Sequence, residues 1–297
     1  MAAEPESPDD APAPRGPLPV RAWSAPARAA AVILQALAAL NIVYLGAHLL
    51  QDILTGTKSA PPQAVILGLI LFSGVPWLAS LGLGRRAAAT IEIGTTHLVL
   101  ATRSARFEIP IASISAVEPW AIPLPGAGIA LRMTSGRRFR MGIAIDDPDP
   151  LLGALAEIIP AARGLRDRRV IALARARHRR GARRWFFWAG KYVAFPLTLT
   201  VVVFRLHQMI MYGGPFGEAH LHGWGAYLLS FAFFWAWNTA ELTIYAAVIR
   251  LLAEAAAFAL TLAIPTRAGG IRRAVEILTL LAYFGLIPAY VLVRLLA

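Results

Sequence analysis

At 297 residues, 57% apolar and 15% charged, the chain carries far less charge than the roughly one quarter of a soluble domain, which excludes a wholly soluble fold. Its net charge of +12 rests on arginine, with Lys58 and Lys191 the only lysines, and most arginines flank apolar segments, so they read as topology signals and no nucleic-acid partner is expected. Cysteine is absent, which excludes disulfides, thiol catalysis and cysteine-ligated metals.

The first 28 residues are rich in Ala, Pro and acids (Glu4, Glu6, Asp9, Asp10) and are expected to be disordered. They lack the positive start and apolar run of a cleaved signal peptide, so the first apolar segment is expected to stay as an anchor. That segment covers about 29–50, preceded by Arg21 and Arg28 and followed by Gln51-Asp52. A second covers about 64–84 and stops at Arg85-Arg86, with the turn-forming Pro61-Pro62 before it. The positive-inside bias makes 29–86 a transmembrane hairpin with both ends in the cytoplasm.

The pattern then changes from long apolar runs to short alternating ones. Thr90 to Ile93, Thr96 to Leu100, Arg106 to Ile111, Ile129 to Met133 and Arg138 to Ile143 alternate with the period of two that marks half-buried strands. Gly94, Pro123-Leu124-Pro125-Gly126 and Ser135-Gly136 supply turns. Leu151, Leu152, Leu155, Ile158 and Ile159 then recur at helical spacing. An antiparallel sheet closed by one amphipathic helix is the expected packing over 87–162.

Two membrane helices, then Ile91-Glu92-Ile93, a hairpin into Phe107-Glu108-Ile109-Pro110, the step Ile114-Ser115-Ala116-Val117 and the hairpin Ser135-Gly136-Arg137-Arg138-Phe139 lead to the closing helix. In this order the segment resembles a bacterial pleckstrin-homology-like (PH-like) domain. The resemblance implies a binding or scaffolding module and no catalytic residues. Within it His97 and Glu118 stand isolated, and Trp120 is either a core residue or an aromatic on a binding loop.

Residues 163–184 hold ten arginines against one acid, Asp167, and run into Trp185-Phe186-Phe187-Trp188. As topology, this polybasic juxtamembrane segment retains the insert in the cytoplasm. As a surface, Arg168, Arg169, Arg175, Arg177, Arg179, Arg180, Arg183 and Arg184 could contact anionic lipid. Leu165, Val170, Ile171 and Leu173 among them suggest an interfacial helix.

The C-terminal region, 185–297, holds a third apolar segment (185–212), a break at Gly213-Gly214-Pro215, and a fourth from about 224 to 264. The fourth exceeds one crossing, so its helix either projects into the cytoplasm or bends near Arg250. After Pro265 and Gly269-Gly270, a fifth covers about 274–296, flanked by Arg267, Arg272 and Arg273. The expected fold is a multi-pass α-helical membrane protein of about five transmembrane helices with a small cytoplasmic α+β insert. It is expected in the inner (cytoplasmic) membrane, N-terminus inside and C-terminus outside.

Polar groups at membrane depth are functional candidates by default. Arg205, His207 and Gln208 lie in the third segment, while Asn238, Glu241 and Tyr245 share one face of the fourth with Ser230 and Phe234. They form either a structural hydrogen-bonded cluster or a ligand, lipid-headgroup or proton-relay site. Arg250 and Glu254 fit an ion pair along one helix, solvated or interfacial. Glu218, His220 and His222 are weak metal candidates without a helical zinc signature, and surface histidines explain them better. No catalytic set and no cofactor is expected. The leading expectation is a non-enzymatic binding, scaffold or regulatory protein whose partners are membrane lipids and a protein or a second copy. The alternative is a membrane-embedded ligand-handling subunit, transporter-like or enzymatic, working through the Arg/Gln/Asn/Glu group.

Overall fold

A computed structural model describes residues 16–56, 60–165, 168–178, 185–286 and 288–289. The described residues of 1–35, 78–180 and 258–272 form one compact unit, and those of 36–77, 181–257 and 273–297 form another.

The membrane part consists of apolar helices. Four are long and apolar enough to cross a bilayer: α1 (Ala25–Thr55), α2 (Pro62–Arg86), α5 (Trp185–Tyr212) and α6 (Gly217–Ala263). They mark the chain as a membrane protein, since each exceeds the roughly 20 helical residues that span a hydrocarbon core. Two polar groups of α1, Gln35 and Asn41, turn toward α2. Asn41 Nδ2 donates to Ser73 Oγ at 2.8 Å and to the Gly68 carbonyl at 3.1 Å, while Gln35 Nε2 donates to Ser80 Oγ at 3.0 Å. Such bonds satisfy groups that lipid would leave bare.

Helix geometry in α6 breaks at Gly223, whose φ of +87° suits glycine. From there the helix runs through Arg250 to Ala263 without a second break. Its 40 residues would extend about 60 Å, twice the hydrocarbon core, so it projects beyond the bilayer and the alternative of a bend at Arg250 falls away. The fifth apolar segment corresponds to α7, Ala268–Leu281, continued by a wider turn over Ala282–Leu286. Residues 287 and 290–297 lie outside the described residues.

The β part is one antiparallel sheet of seven strands: β1 (Leu18–Ser24), β2 (Ala88–Ile93), β3 (His97–Thr102), β4 (Arg106–Pro110), β5 (Ile114–Pro119), β6 (Gly128–Met133) and β7 (Met141–Ala144). Their spatial order is β4-β3-β2-β1-β7-β6-β5. The central strand therefore precedes the first membrane helix. It pairs with β2 from Leu18↔Ile91 to Arg21↔Ala88, and with β7 from Arg21↔Ala144 to Ser24↔Met141.

This corrects the expectation of a disordered tail over 1–28. Val20 and Ala22 point into the main core, with Leu18 packed against it, and Trp23 faces the other side. That is the period-two pattern of a strand, hidden by its seven-residue length and the Pro- and Ala-rich stretch around it. Residues 1–15 lie outside the described residues. The sheet is also not confined to 87–162, since α1 and α2 are inserted between two paired strands.

Helix α3 (Pro148–Ile158) starts at Asp147, whose carboxylate accepts the Asp149 backbone N–H at 3.2 Å, an N-cap. It buries Leu151, Leu152 and Leu155 against Ile91, Leu98, Leu100, Ile129, Leu131 and Ile143. A smaller cluster on the opposite face joins Trp23, Trp120 and Ala144 to Ala27 and Ala31 of α1 and Leu83 of α2. The sheet is thereby packed onto the bases of the helices inserted into it.

A fragment of residues 87–178 lacks the strand that joins the two halves of its sheet. It is expected to give no sheet signal by circular dichroism and no cooperative melt. Fusing Leu18–Ser24 ahead of Ala87 through an Asn-Gly turn is expected to restore both. Cooperative melting of the fragment without the strand would contradict this account.

Candidate functional site

The polybasic segment belongs partly to the β unit. Helix α4 (Arg169–His178) buries Ile171, Leu173, Ala174 and Ala176, and Ile171 and Leu165 join the main core. Its apolar side meets protein, not the membrane interface expected for it. Arg175 Nε donates to Asp149 Oδ1 at 2.6 Å, and His178 Nε2 lies 3.3 Å from Asp147 Oδ2. Arg175 thus has a protein partner, and Arg168, Arg169 and Arg177 have exposed positions. Arg179, Arg180, Arg183 and Arg184 lie outside the described residues. Beside α4 a cavity of about 190 Å³ is lined by Arg21, Asp146, Leu173 and Arg177 together with the Pro125–Ala127 stretch. Arg21 closes one side by donating to Asp146 at 2.8 Å.

Two residues read as isolated or ambiguous have definite places. Glu118 accepts from Arg138 at 2.8 Å and from Arg132 at 3.3 Å, and these bonds, Arg138 first, hold its carboxyl below the usual carboxylate range. Its contribution to stability is present above the unfolded carboxyl's pKa and fades as pH falls through the lowered one. Trp120 is a core residue, 6% exposed. Its ring lies over Gly128 and Gly142, where a Cβ would come within 2.9 and 2.6 Å of it. Arg28, the flank of the first membrane segment, stacks on that ring at 3.6 Å. The same guanidinium donates to the carbonyls of Leu124 and Ile122, both at 3.0 Å. Nothing in the sequence links Arg28 to a loop 96 residues away.

The polar residues of the membrane part have partners at more than one place. Gln208 is fully buried and bonds Glu218 twice: its amide donates to Glu218 Oε2 at 2.6 Å, and its oxygen accepts the Glu218 backbone N–H at 3.2 Å. Ser230 donates to the other carboxylate oxygen at 2.6 Å. This lock closes the turn between α5 and α6, where Gly217 packs so tightly on the Tyr212 backbone that no Cβ fits. Glu218 also sits in the first turn of α6, where the helix dipole favours an anion.

Arg205 is exposed, its guanidinium 6.0 Å from the centre of the Phe216 ring. His207 stacks among Phe204 and Phe234. Asn238 donates to buried Thr200 at 2.9 Å, and Tyr245 packs with Leu45, Leu49, Val65 and Ile244. Glu241 is half-buried between those two positions of α6. His220 and His222 are exposed, and among the described residues no three His, Cys, Asp or Glu groups are placed to hold a metal.

Arg250 does more than pair along its own helix. It reaches Glu254 at 2.7 Å and Glu276 of α7 at 2.6 Å, and the Glu276 side chain is only 4% exposed. The expected pair along one helix is present, and Glu276 extends it into a clamp between helices. Glu276 was overlooked because it follows Arg272-Arg273 in what reads as a mere topological flank. Comparison with known proteins returns no matching family model, curated protein or solved structure.

Removing the Glu218 carboxylate strands an amide and a hydroxyl. Glu218→Ala is expected to cost about 1–3 kcal/mol, and Glu218→Gln less, as read by tryptophan-fluorescence melts in detergent. Gly142→Ala forces a methyl group into the Trp120 ring and is expected to cost about 1–3 kcal/mol. A wild-type melt for Gly142→Ala would refute the close packing of Trp120.

Proposed function

We propose that this chain is an inner-membrane protein of five crossings whose cytoplasmic, PH-like β module is a non-enzymatic binding or scaffolding platform. The observation that carries this reading is the direct join of sheet and membrane helices. Ser24 ends β1 and Ala25 begins α1, and Ala87 alone separates α2 from β2. With no linker at either join, the strands continue directly into the helix ends, as a module presented at the membrane requires.

Seven antiparallel strands followed by a closing helix support the PH-like assignment. Arg85-Arg86, Arg28 and the polybasic segment support a cytoplasmic module under the positive-inside bias. The edge strand β4 offers backbone groups for pairing and carries exposed Arg106 and Glu108. Its partner would be a protein or a second copy of the chain. The mutual bonding of Gln208 with Glu218 and of Asn238 with Thr200 favours this over ligand handling within the membrane.

Because the chain lacks cysteine, a single cysteine at Ser135 reports orientation alone. It is expected to react with an impermeant maleimide in inverted vesicles and not in right-side-out ones. For function, photo-crosslinkers at Arg103, Glu108 and Arg137 in the native membrane are expected to capture one discrete partner. Silence at all three, with adducts from Arg205 or Trp224 instead, would overturn the platform reading.

A further inference from the structure

The loop joining β5 to β6 breaks the pattern of the other turns in the sheet. The β2–β3 turn exposes Thr95 and Thr96, the β3–β4 turn Arg103 and Ser104, and the β6–β7 turn Thr134, Ser135 and Arg137. Polar residues are what water-facing turns normally carry. Residues 121–127 read Ala-Ile-Pro-Leu-Pro-Gly-Ala, without one polar side chain. Pro123 is buried, yet the residues on either side of it point outward, Ile122 being 62% exposed and Leu124 40%. Two large apolar side chains held outward on a proline-stiffened loop would be an aggregation liability in water.

Their position says what covers them. The guanidinium of Arg28 holds the loop, bonded to the backbone carbonyls of both Ile122 and Leu124 and stacked on Trp120. Arg28 stands in the first turn of α1, one turn before Ile33, which is 58% exposed on a helix apolar enough to cross the membrane. The loop is therefore held beside the start of the apolar stretch of α1. Arg85 and Arg86, exposed at the end of α2, add the cationic layer that accompanies a headgroup boundary.

We propose that the 121–127 loop is a membrane-inserting hook, with Ile122 and Leu124 seated in the lipid interface and Arg28 holding their backbone. The occupant of this apolar patch is the bilayer itself. The inference is independent of what the module binds. It adds a non-covalent attachment at the opposite half of the sheet from β2.

The test uses the full-length, cysteine-free chain with one cysteine at Ile122 or Leu124, labelled with an environment-sensitive fluorophore. The protein is reconstituted in vesicles of phosphatidylethanolamine and phosphatidylglycerol. Labels at 122 and 124 are expected to emit to the blue of a label at Ser135 and to be quenched by lipids bearing a nitroxide at the top of the acyl chain. The Ser135 label should instead be quenched by aqueous iodide. Arg28→Ala is expected to shift the 122 label toward the Ser135 behaviour, while the tryptophan melt reports whether the fold persists. Iodide quenching at 122 and 124 equal to that at Ser135 would overturn the proposal. So would protection from both quenchers, which would mean that protein covers the loop.

Discussion

Strand β1 lies between β2 and β7, and without it the sheet is two separate pieces, β2 to β4 and β5 to β7. The hydrogen-bond groups on both of its edges are used by neighbours that follow the first two membrane helices in sequence. Because β1 and β2 are antiparallel and adjacent, α1 and α2 occupy the place of a hairpin loop between them. The Ala22 backbone N–H still donates to the Ala87 carbonyl at 2.7 Å, continuing the strand pairing up to the helix ends. Insertion of the helices and closure of the sheet are thus linked: the sheet is complete only when the two ends of the membrane hairpin are side by side.

This constraint explains the composition of the second, smaller core. Where helices leave a sheet without a linker, the junction must be filled with well-packed side chains or it would act as a hinge. Trp23 and Trp120 fill it, against the small residues Ala27, Ala31, Ala87 and Ala144. Gly128 and Gly142 make room for the Trp120 ring, so their lack of a side chain is a packing requirement and not a need for unusual backbone angles. Arg28 closes the top of that ring as a cation on an aromatic face.

The membrane helices and most strands were legible in the sequence because each carries its period over enough residues. Strand β1 was not, since seven residues within a Pro- and Ala-rich stretch give too short a pattern, and its partners lie beyond two helices. Helix α4 shows the reverse problem. Its arginines were visible, but charge content could not show that Ile171 and Leu173 face a protein core, nor that Asp147 and Asp149 meet His178 and Arg175. The polar groups of the membrane part were recognisable by type, and their partners were not. Gln208 meets Glu218 because the Gly213–Gly217 turn reverses the chain tightly, a geometry that spacing along a helix does not encode.

The membrane part is held together differently at different places along its length. Next to the α5–α6 turn the bonds are short and mutual, one carboxylate shared by an amide and a hydroxyl. Farther along α6 the Arg250 clamp joins two helices through full charges, with Glu254 the more accessible acid and Glu276 the buried one. Breaking a charged pair of which one member is buried costs more than breaking an exposed one, because the buried charge keeps its desolvation penalty and loses its compensation. Glu218 and Glu276 are both buried, so each carboxylate depends on the partners bonded to it. The clamp lies about 39 Å along α6 from Trp224, well away from the α5–α6 turn. The clamp keeps Arg250 and Glu254 partly exposed, whereas the lock satisfies a buried carboxylate and a buried amide with each other and with Ser230.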